Sequence, residues 1–394
     1  MSGKRLNLRF LSSLLAASLL FAACSREESE FPDLEIETDA SSVESTDETS
    51  PEDDTDSIKE LTVALPLSED TVNRLMKLYY AKCNGLFPDA KTGADISIEY
   101  LDAINTSWVV DTVTTTWEGA SVEYIEDLAE DDISPDIFLC SDMLAAYGAG
   151  LTVPFDSYLY DSSDIYLSDI YYGALECMIT DGQYLGLPFY STVFELCGSS
   201  EFVPESGTPA FNITGEQFVD YLGDISEQYS VTPFYDAVSL RIFYGNNSLV
   251  DTLIEDGLSA DEDEFGADPR MSRSCGMWLI SSGEYSMWSS YYSDYIYFTM
   301  LPDVQVQAEV YPVCLSSSSQ NPEFAAGFAS FLCFDSDCRM LMYRLEPQRG
   351  FFPVIASSGV WDELTADSEF GSQAVLYEQF MSSAEYAAAG TIYG

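Results

Sequence analysis

The chain has 394 residues, with 67 Asp or Glu against 15 Lys or Arg, no histidine, and a formal net charge of −52. So acidic a surface repels phosphate, and with only eleven Lys or Arg after residue 58 it argues against nucleic acid and against anionic lipid held by protein charge; its simplest meaning is solubility outside the cell. The missing histidine excludes the usual Ser-His and Cys-His triads and His-based metal sites, and no CxxC pair offers a zinc alternative; a carboxylate pair of the glycosidase kind stays open, as 67 acids can always supply one.

At the start, Lys4, Arg5 and Arg9 form a basic head, followed by fourteen uncharged residues from Phe10 to Ala23. A bilayer-spanning helix needs roughly 20 residues, so residues 1–23 read as a signal peptide rather than a retained anchor. The small residues of Phe21-Ala22-Ala23-Cys24 resemble a bacterial lipobox, with Phe21 where an aliphatic residue is usual. That resemblance implies cleavage before Cys24, diacylglycerol on its sulfur, and a mature chain held on the outer face of the cell membrane by lipid alone. Residues 25–58 then hold fourteen Asp or Glu against one Arg, with little to bury. Together with Cys24 they form an extended, disordered acidic tether over residues 24–58.

Beyond the tether, roughly 335 residues exceed what one core usually holds, so two domains are expected. "LTVALP" (61–66) is a short apolar strand. Ser68 caps the helix after it, with Glu69 and Asp70 at its positive end and Val72, Leu75, Met76, Tyr79 and Cys83 at helical spacing. "DISIEYL" (95–101) alternates as a strand does. A helix around 117–130 leads to the strand "PDIFLC" (135–140) and to a helix opening at "SDMLAAY". Strand, helix, strand, helix, strand predicts an α/β fold with a parallel sheet. Ligands of such sheets bind beyond the carboxyl ends of the strands, where Ser68, Ser141 and Asp142 lie, and each of these residues suits a helix cap equally well.

Asp181-Gly182 reads as a hairpin turn, and the apolar strand after it, interrupted by Gly186 and Pro188, is long enough to pass between two domains. "CGMWLISSGEYSMW" (275–288) is a strand ending in a Ser-Ser-Gly loop, "YIYFTMLP" is another strand, and "AEVYPVCLSSSS" is a second crossing segment. Asn321-Pro322-Glu323 opens a helix with cap, proline and acid in order, buried through Phe324, Phe328, Phe331 and Leu332. A last helix from Asp335 carries Cys338, Leu341, Met342 and Leu345. The eight cysteines from Cys83 to Cys338 sit mostly in apolar runs and read as buried, unpaired thiols.

Five stretches, "PDIFLCSDMLAAYGAGLTVPFDSYL", "DGQYLGLPFYSTVFEL", "CGMWLISSGEYS", "YPVCLSSSSQNPEFAAGFASFLC" and "RGFFPV", stand in an order that resembles the extracellular solute-binding proteins of ABC importers, of the maltose-binding-protein-like group. The resemblance spans residues 61 to about 355. It implies a two-lobed, periplasmic-binding-protein-like fold with a hinge near 186–192 and 308–314, and a small solute held in the cleft between lobes. The first lobe would comprise residues 59–188 and 306–345, the second 189–305 and 346–394. No bond is broken, no cofactor or metal is needed, and the partners are the solute and the permease, with the receptor a monomer.

Carried over residue by residue, the resemblance places Ser68, Ser141, Asp142, Phe189, Tyr190 and Ser191 on the wall of the first lobe. Ser281, Ser282, Gly283, Glu284 and Tyr285 fall on the second lobe, and Phe351 and Phe352 on the return segment. Where the family often has an aromatic residue, this chain has Ser282-Gly283. Trp278 alternates with Met277 and Leu279 in a strand, which suits a core position as well as a ligand contact. Phe351 and Phe352 point to opposite sides if extended, so one of them belongs to the core. Twenty-six Tyr and five Trp suit a sugar or oligosaccharide. A surface-anchored glycan hydrolase with a carboxylate pair, and a peptide or polyamine receptor on the same fold, are the alternatives.

Overall fold

The computed structural model describes residues 59–87, 96–159, 170–245, 248–260, 270, 273–285, 287–288, 296–347, 350–356, 358–367 and 371–391. Cys24, the apolar run before it and the acidic stretch after it lie outside the described residues. In chain order the first elements are β1 (Lys59–Leu65), α1 (Glu69–Cys83), α2 (Ile98–Ala103), β2 (Trp108–Thr114), α3 (Val122–Glu130), β3 (Ile137–Leu139) and α4 (Met143–Gly148). β1 pairs in parallel with both β2 and β3, the crossover arrangement that alternating strands and helices predict.

One element departs from expectation. The "DISIEYL" segment enters a helix, α2, because the Ser97 hydroxyl caps it by accepting from the Tyr100 N–H, and Ile98 is exposed rather than turned into a sheet. The strand of this unit is β2 instead, whose Val110 is buried. Ser68, Asp142 and Asp335 cap their helices as the sequence suggests, and Ser121, not singled out there, caps α3, which begins at Val122 rather than near 117; each accepts from a first-turn N–H. Asn321 precedes its helix without capping it through its side chain.

The chain continues through β4 (Thr152–Val153), α5 (Asp156–Leu159) and α6 (Tyr172–Glu176) to β5 (Ile179–Thr180) and β6 (Gln183–Tyr184). The last two form a hairpin whose turn residues, Asp181 and Gly182, both have positive φ, the backbone a two-residue hairpin turn requires. β7 (Leu187–Ser199) is buried along all 13 residues. After it come α7 (Gly215–Gln228), β8 (Thr232–Tyr235), α8 (Arg241–Tyr244), α9 (Ser248–Glu255), β9 (Ser259–Ala260), β10 (Cys275–Ser281), β11 (Ile296–Met300) and β12 (Gln307–Ser316). The final elements are α10 (Pro322–Phe334), α11 (Ser336–Leu345), α12 (Ser358–Thr365), α13 (Gly371–Met381) and β13 (Glu385–Ala388).

Strand order is β2-β1-β3-β12-β7-β10-β8-β9. β7 joins two halves: Leu187 to Val193 pair with β12, while Phe194 to Ser199 lie between β10 and β11. Each half is covered on both faces, because alternate residues of a strand point to opposite sides. In the first half Leu61, Val63 and Leu65 enter one core and Ala64 another. In the second, Trp278 and Ile280 enter a core shared with Trp361, Leu364 and Tyr377 from α12 and α13, whereas Met277 faces Phe218, Leu222 and Ile225 of α7. This is the two-lobed α/β arrangement. The β7–β12 register breaks between Tyr311 and Pro312, where the crossing strands meet. Six of the eight cysteines of this region are buried, in the apolar runs where the sequence places them.

Candidate functional site

Residues gather at the crossing. Tyr190 of β7 stacks on Tyr311 of β12 at 4.9 Å between ring centroids. Phe351 meets Tyr190 edge-on at 4.9 Å, and Trp117, in the turn after β2, lies 5.1 Å from Phe351 and 5.5 Å from Tyr190. The segment carrying Phe351 is tied to β7 by two backbone bonds between Ser191 and Phe352, of 2.9 and 2.7 Å. It is also tied to the loop after β10, since the Ser282 hydroxyl donates to the Gly350 carbonyl (2.5 Å) and accepts from the Val193 N–H (3.0 Å). Gly350 has a φ of 85°, and a Cβ there would run into the Ser282 carbonyl. Gly283 comes just as close from the other side: an added Cβ would lie 3.0 Å from Phe351 and 3.1 Å from Thr192. These two glycines let the second-half loop close onto the aromatic cluster.

Beneath the cluster is a cavity of about 30 Å³ lined by Trp117, Tyr190, Arg339, Met342, Tyr343, Glu346, Phe351 and Pro353, among others. Arg339, Met342, Tyr343 and Glu346 recur at positions i, i+3, i+4 and i+7, so one face of α11, extended to the residue after it, forms a wall. Arg339 is only 4 % exposed, and its Nε and Nη1 have no hydrogen-bond partner. Its guanidinium lies 4.8 Å from the centre of the Phe189 ring. Burial holds this arginine below its usual range. The Tyr190 hydroxyl is likewise buried without a partner, and burial, with Tyr311, Glu118 and Glu309 nearby, pushes it well above its usual range. Glu346 accepts from both the N–H (2.8 Å) and the hydroxyl (2.5 Å) of Ser68, joining the start of α1 to the end of α11.

Acids surround the cluster. Glu309 accepts from the Tyr311 hydroxyl at 2.8 Å and from the Gly390 N–H at 3.3 Å, and burial raises its pKa. Glu284 closes a capping box with Ser281, and burial raises its pKa as well. Among the described residues, no group of three or more His, Cys, Asp or Glu could hold a metal ion.

The residues named from sequence fall into three places. Tyr190, Gly283, Glu284 and Phe351 are at or beside the aromatic cluster, and Ser68 is linked to it through Glu346. Ser191 is buried there with an unpartnered hydroxyl, whereas both roles of the Ser282 hydroxyl are used in clamping the loop, and Ser281 serves as the cap. Phe189 is core, beneath Arg339. Trp278, Tyr285 and Phe352 belong to the core of the second half, with Trp278 beside Trp288 (5.3 Å) and Tyr285 beside Phe298 (5.1 Å). Ser141 donates to the Ala120 carbonyl, and Asp142 caps α4; both lie against Gly390.

Sequence reasoning passed over Trp117, Glu118, Tyr311, Arg339 and Glu346. Trp117 follows the carboxyl end of β2, so placing the strand at 95–101 hid it. The polar stripe Arg339–Tyr343–Glu346 was legible at helical spacing.

No protein-family model matches the sequence, and no curated protein matches it. Solved structures do match in fold. The sugar-binding protein MalE of Xanthomonas citri superposes with a TM-score of 0.59 at 11 % identity, over 84 % of this chain and 87 % of its own. An ABC substrate-binding protein of Listeria monocytogenes, solved with cycloalternan, gives 0.58 at 12 % identity, over 84 % and 88 %. A cyclic alpha-maltosyl-1,6-maltose binding protein of Arthrobacter globiformis gives 0.56 at 14 %, over 85 % and 89 %. The chain therefore has the two-lobed fold of the extracellular solute-binding proteins of ABC importers.

Proposed function

We propose that this protein is a solute receptor that takes up a sugar or oligosaccharide between its two lobes and passes it intact to an ABC permease. The observation that carries the reading is the cluster of Trp117, Tyr190, Tyr311 and Phe351 at the strand crossing, with Glu118, Glu284 and Glu309 around it. Aromatic faces stack on the apolar faces of sugar rings, and carboxylates accept from their hydroxyls. The sugar-binding names of the structural neighbours support the same class.

A cavity of about 30 Å³ is far below the roughly 300 Å³ that small-molecule sites begin at, so a solute enters only if the lobes part. The register break at Tyr311/Pro312 lies within the hinge segments 186–192 and 308–314 and supports bending there. The first lobe is residues 59–188 and 306–345, the second 189–305 and 346–394; the packing of α12 and α13 on the Trp278 core supports that assignment for residues 358–381, whereas β13 pairs with β12 and Gly390 lies against Ser141 and Asp142, on the side of the first lobe. The receptor acts as a monomer, anchored by lipid on Cys24. A thermal-shift screen over neutral and charged oligosaccharides tests the reading, because a ligand that binds only the folded state raises the melting temperature. Recovery of shortened oligosaccharides would favour a hydrolase instead.

A further inference from the structure

The cavity under the aromatic cluster contains a charge that the neutral-sugar reading leaves unused. Among the described residues Arg74, Lys82, Arg241 and Arg273 each meet a carboxylate within 3.2 Å, as expected in a chain with 67 acids. Arg339 meets none, although it is the buried one. Its contact with the Phe189 face satisfies none of the N–H groups. Glu346, the acid in the same cavity wall, is engaged by Ser68. Tyr190, whose hydroxyl is also buried and unpartnered, lines the same space. Two residues with unpartnered donors thus line one cavity of about 30 Å³, where a single water-sized oxygen needs at least about 10–15 Å³. The room matches the two oxygens of one carboxylate and not a sugar ring.

We propose that Arg339 and the Tyr190 hydroxyl receive a carboxylate of the solute, which makes the ligand an acidic sugar, a uronate or an oligosaccharide ending in one. The inference rests on the receptor reading above and narrows its substrate class. The guanidinium plane presents paired donors that fit a carboxylate, and burial strengthens such a bond while making the unpaired charge costly. The sugar rings then stack on Trp117 and Phe351 outside the cavity.

The test is calorimetric titration of the full chain with galacturonate and glucuronate oligomers, their methyl esters, and neutral malto-oligosaccharides, for wild type, Arg339→Met and Tyr190→Phe. The account expects the free acids to bind about tenfold or more tighter than the esters in wild type. It expects both variants to lose that preference, and the ligand-free melting temperature of Arg339→Met to stay level or rise, since an unpaired buried charge has been removed. Tyr190→Phe decides the matter should Arg339→Met fail to fold. Equal binding of acids and esters, or binding of the neutral sugars alone, overturns the carboxylate assignment and leaves the receptor reading standing. A lower melting temperature with unchanged acid preference in Arg339→Met would make the arginine a structural residue and also overturn it. Binding of neither acids nor neutral sugars removes the sugar-receptor reading together with this one.

Discussion

Glu195 lies in the middle of β7 with no exposed surface, and replacing it with Gln tests the electrostatics of the second core directly. One carboxylate oxygen accepts from the Tyr377 hydroxyl, the other has no partner, and burial pushes the pKa from 4.5 to about 8. Between those values the folded state holds a proton that the unfolded state has released. Folding stability therefore falls as pH rises through this window, by at most about 1.4 kcal/mol per pH unit. Below 4.5 both states are protonated and the group contributes no slope. From pH 5 to pH 8 the wild type should lose about 3–4 kcal/mol through this residue, and Glu195→Gln should not. Glu284, Glu309 and Asp335 also have pKa values raised by burial and titrate in the same direction in both chains, so the quantity to read is the difference between them. Urea unfolding followed by tryptophan fluorescence at pH 5, 6.5 and 8 gives that difference. The variant should match the wild type at pH 5 and exceed it increasingly toward pH 8. Parallel pH profiles would refute the reasoning and mean that the Glu195 carboxyl is solvated or paired at neutral pH.

Other outcomes follow from the same packing. Trp278→Ala should lower ligand-free stability by roughly 3–5 kcal/mol, as expected for a wholly buried ring, while Trp117→Ala should weaken solute binding by about 2 kcal/mol or more with a small effect on melting temperature. Small-angle scattering should show a more extended particle without solute than with it, and identical curves would mean a rigid binder. Cys24→Ser in the native host should release the protein from the membrane fraction; unchanged attachment would discard the lipid anchor.

The lobes were legible because their strands announce themselves locally. "LTVALP" and "PDIFLC" are buried parallel strands, and the long, mostly apolar run after Gly186, buried along its whole length, is what a strand central to both halves must look like. The segment at 95–101 was misread because alternation over so short a run does not separate a strand from a capped turn of helix, and the Ser97 cap decides it. The site was legible only in part. Tyr190 sits on a crossing segment and Phe351 on the return segment bridged to it, so the order of elements leads to both members of the candidate cluster. Trp278, Tyr285 and Phe352 sit in the adjacent core, because a period of two says which residues share a face but not which face meets the cleft. Arg339 and Glu346 share a helix face that the spacing shows, but the residues they meet across the fold, Tyr190 in the cavity lining and Ser68 through its hydrogen bonds, are distant in sequence, so their place in the cavity wall was not legible.

The account stands or falls on what the crossing of β7 and β12 does with a sugar. The direct measurement is to incubate the purified protein with acidic and neutral oligosaccharides, separate the complex by size exclusion, and analyse the ligand released on denaturation by mass spectrometry. The account predicts a stoichiometric, intact oligosaccharide that Trp117→Ala and Phe351→Ala no longer retain. Shortened products, or retention undiminished in both variants, would contradict it.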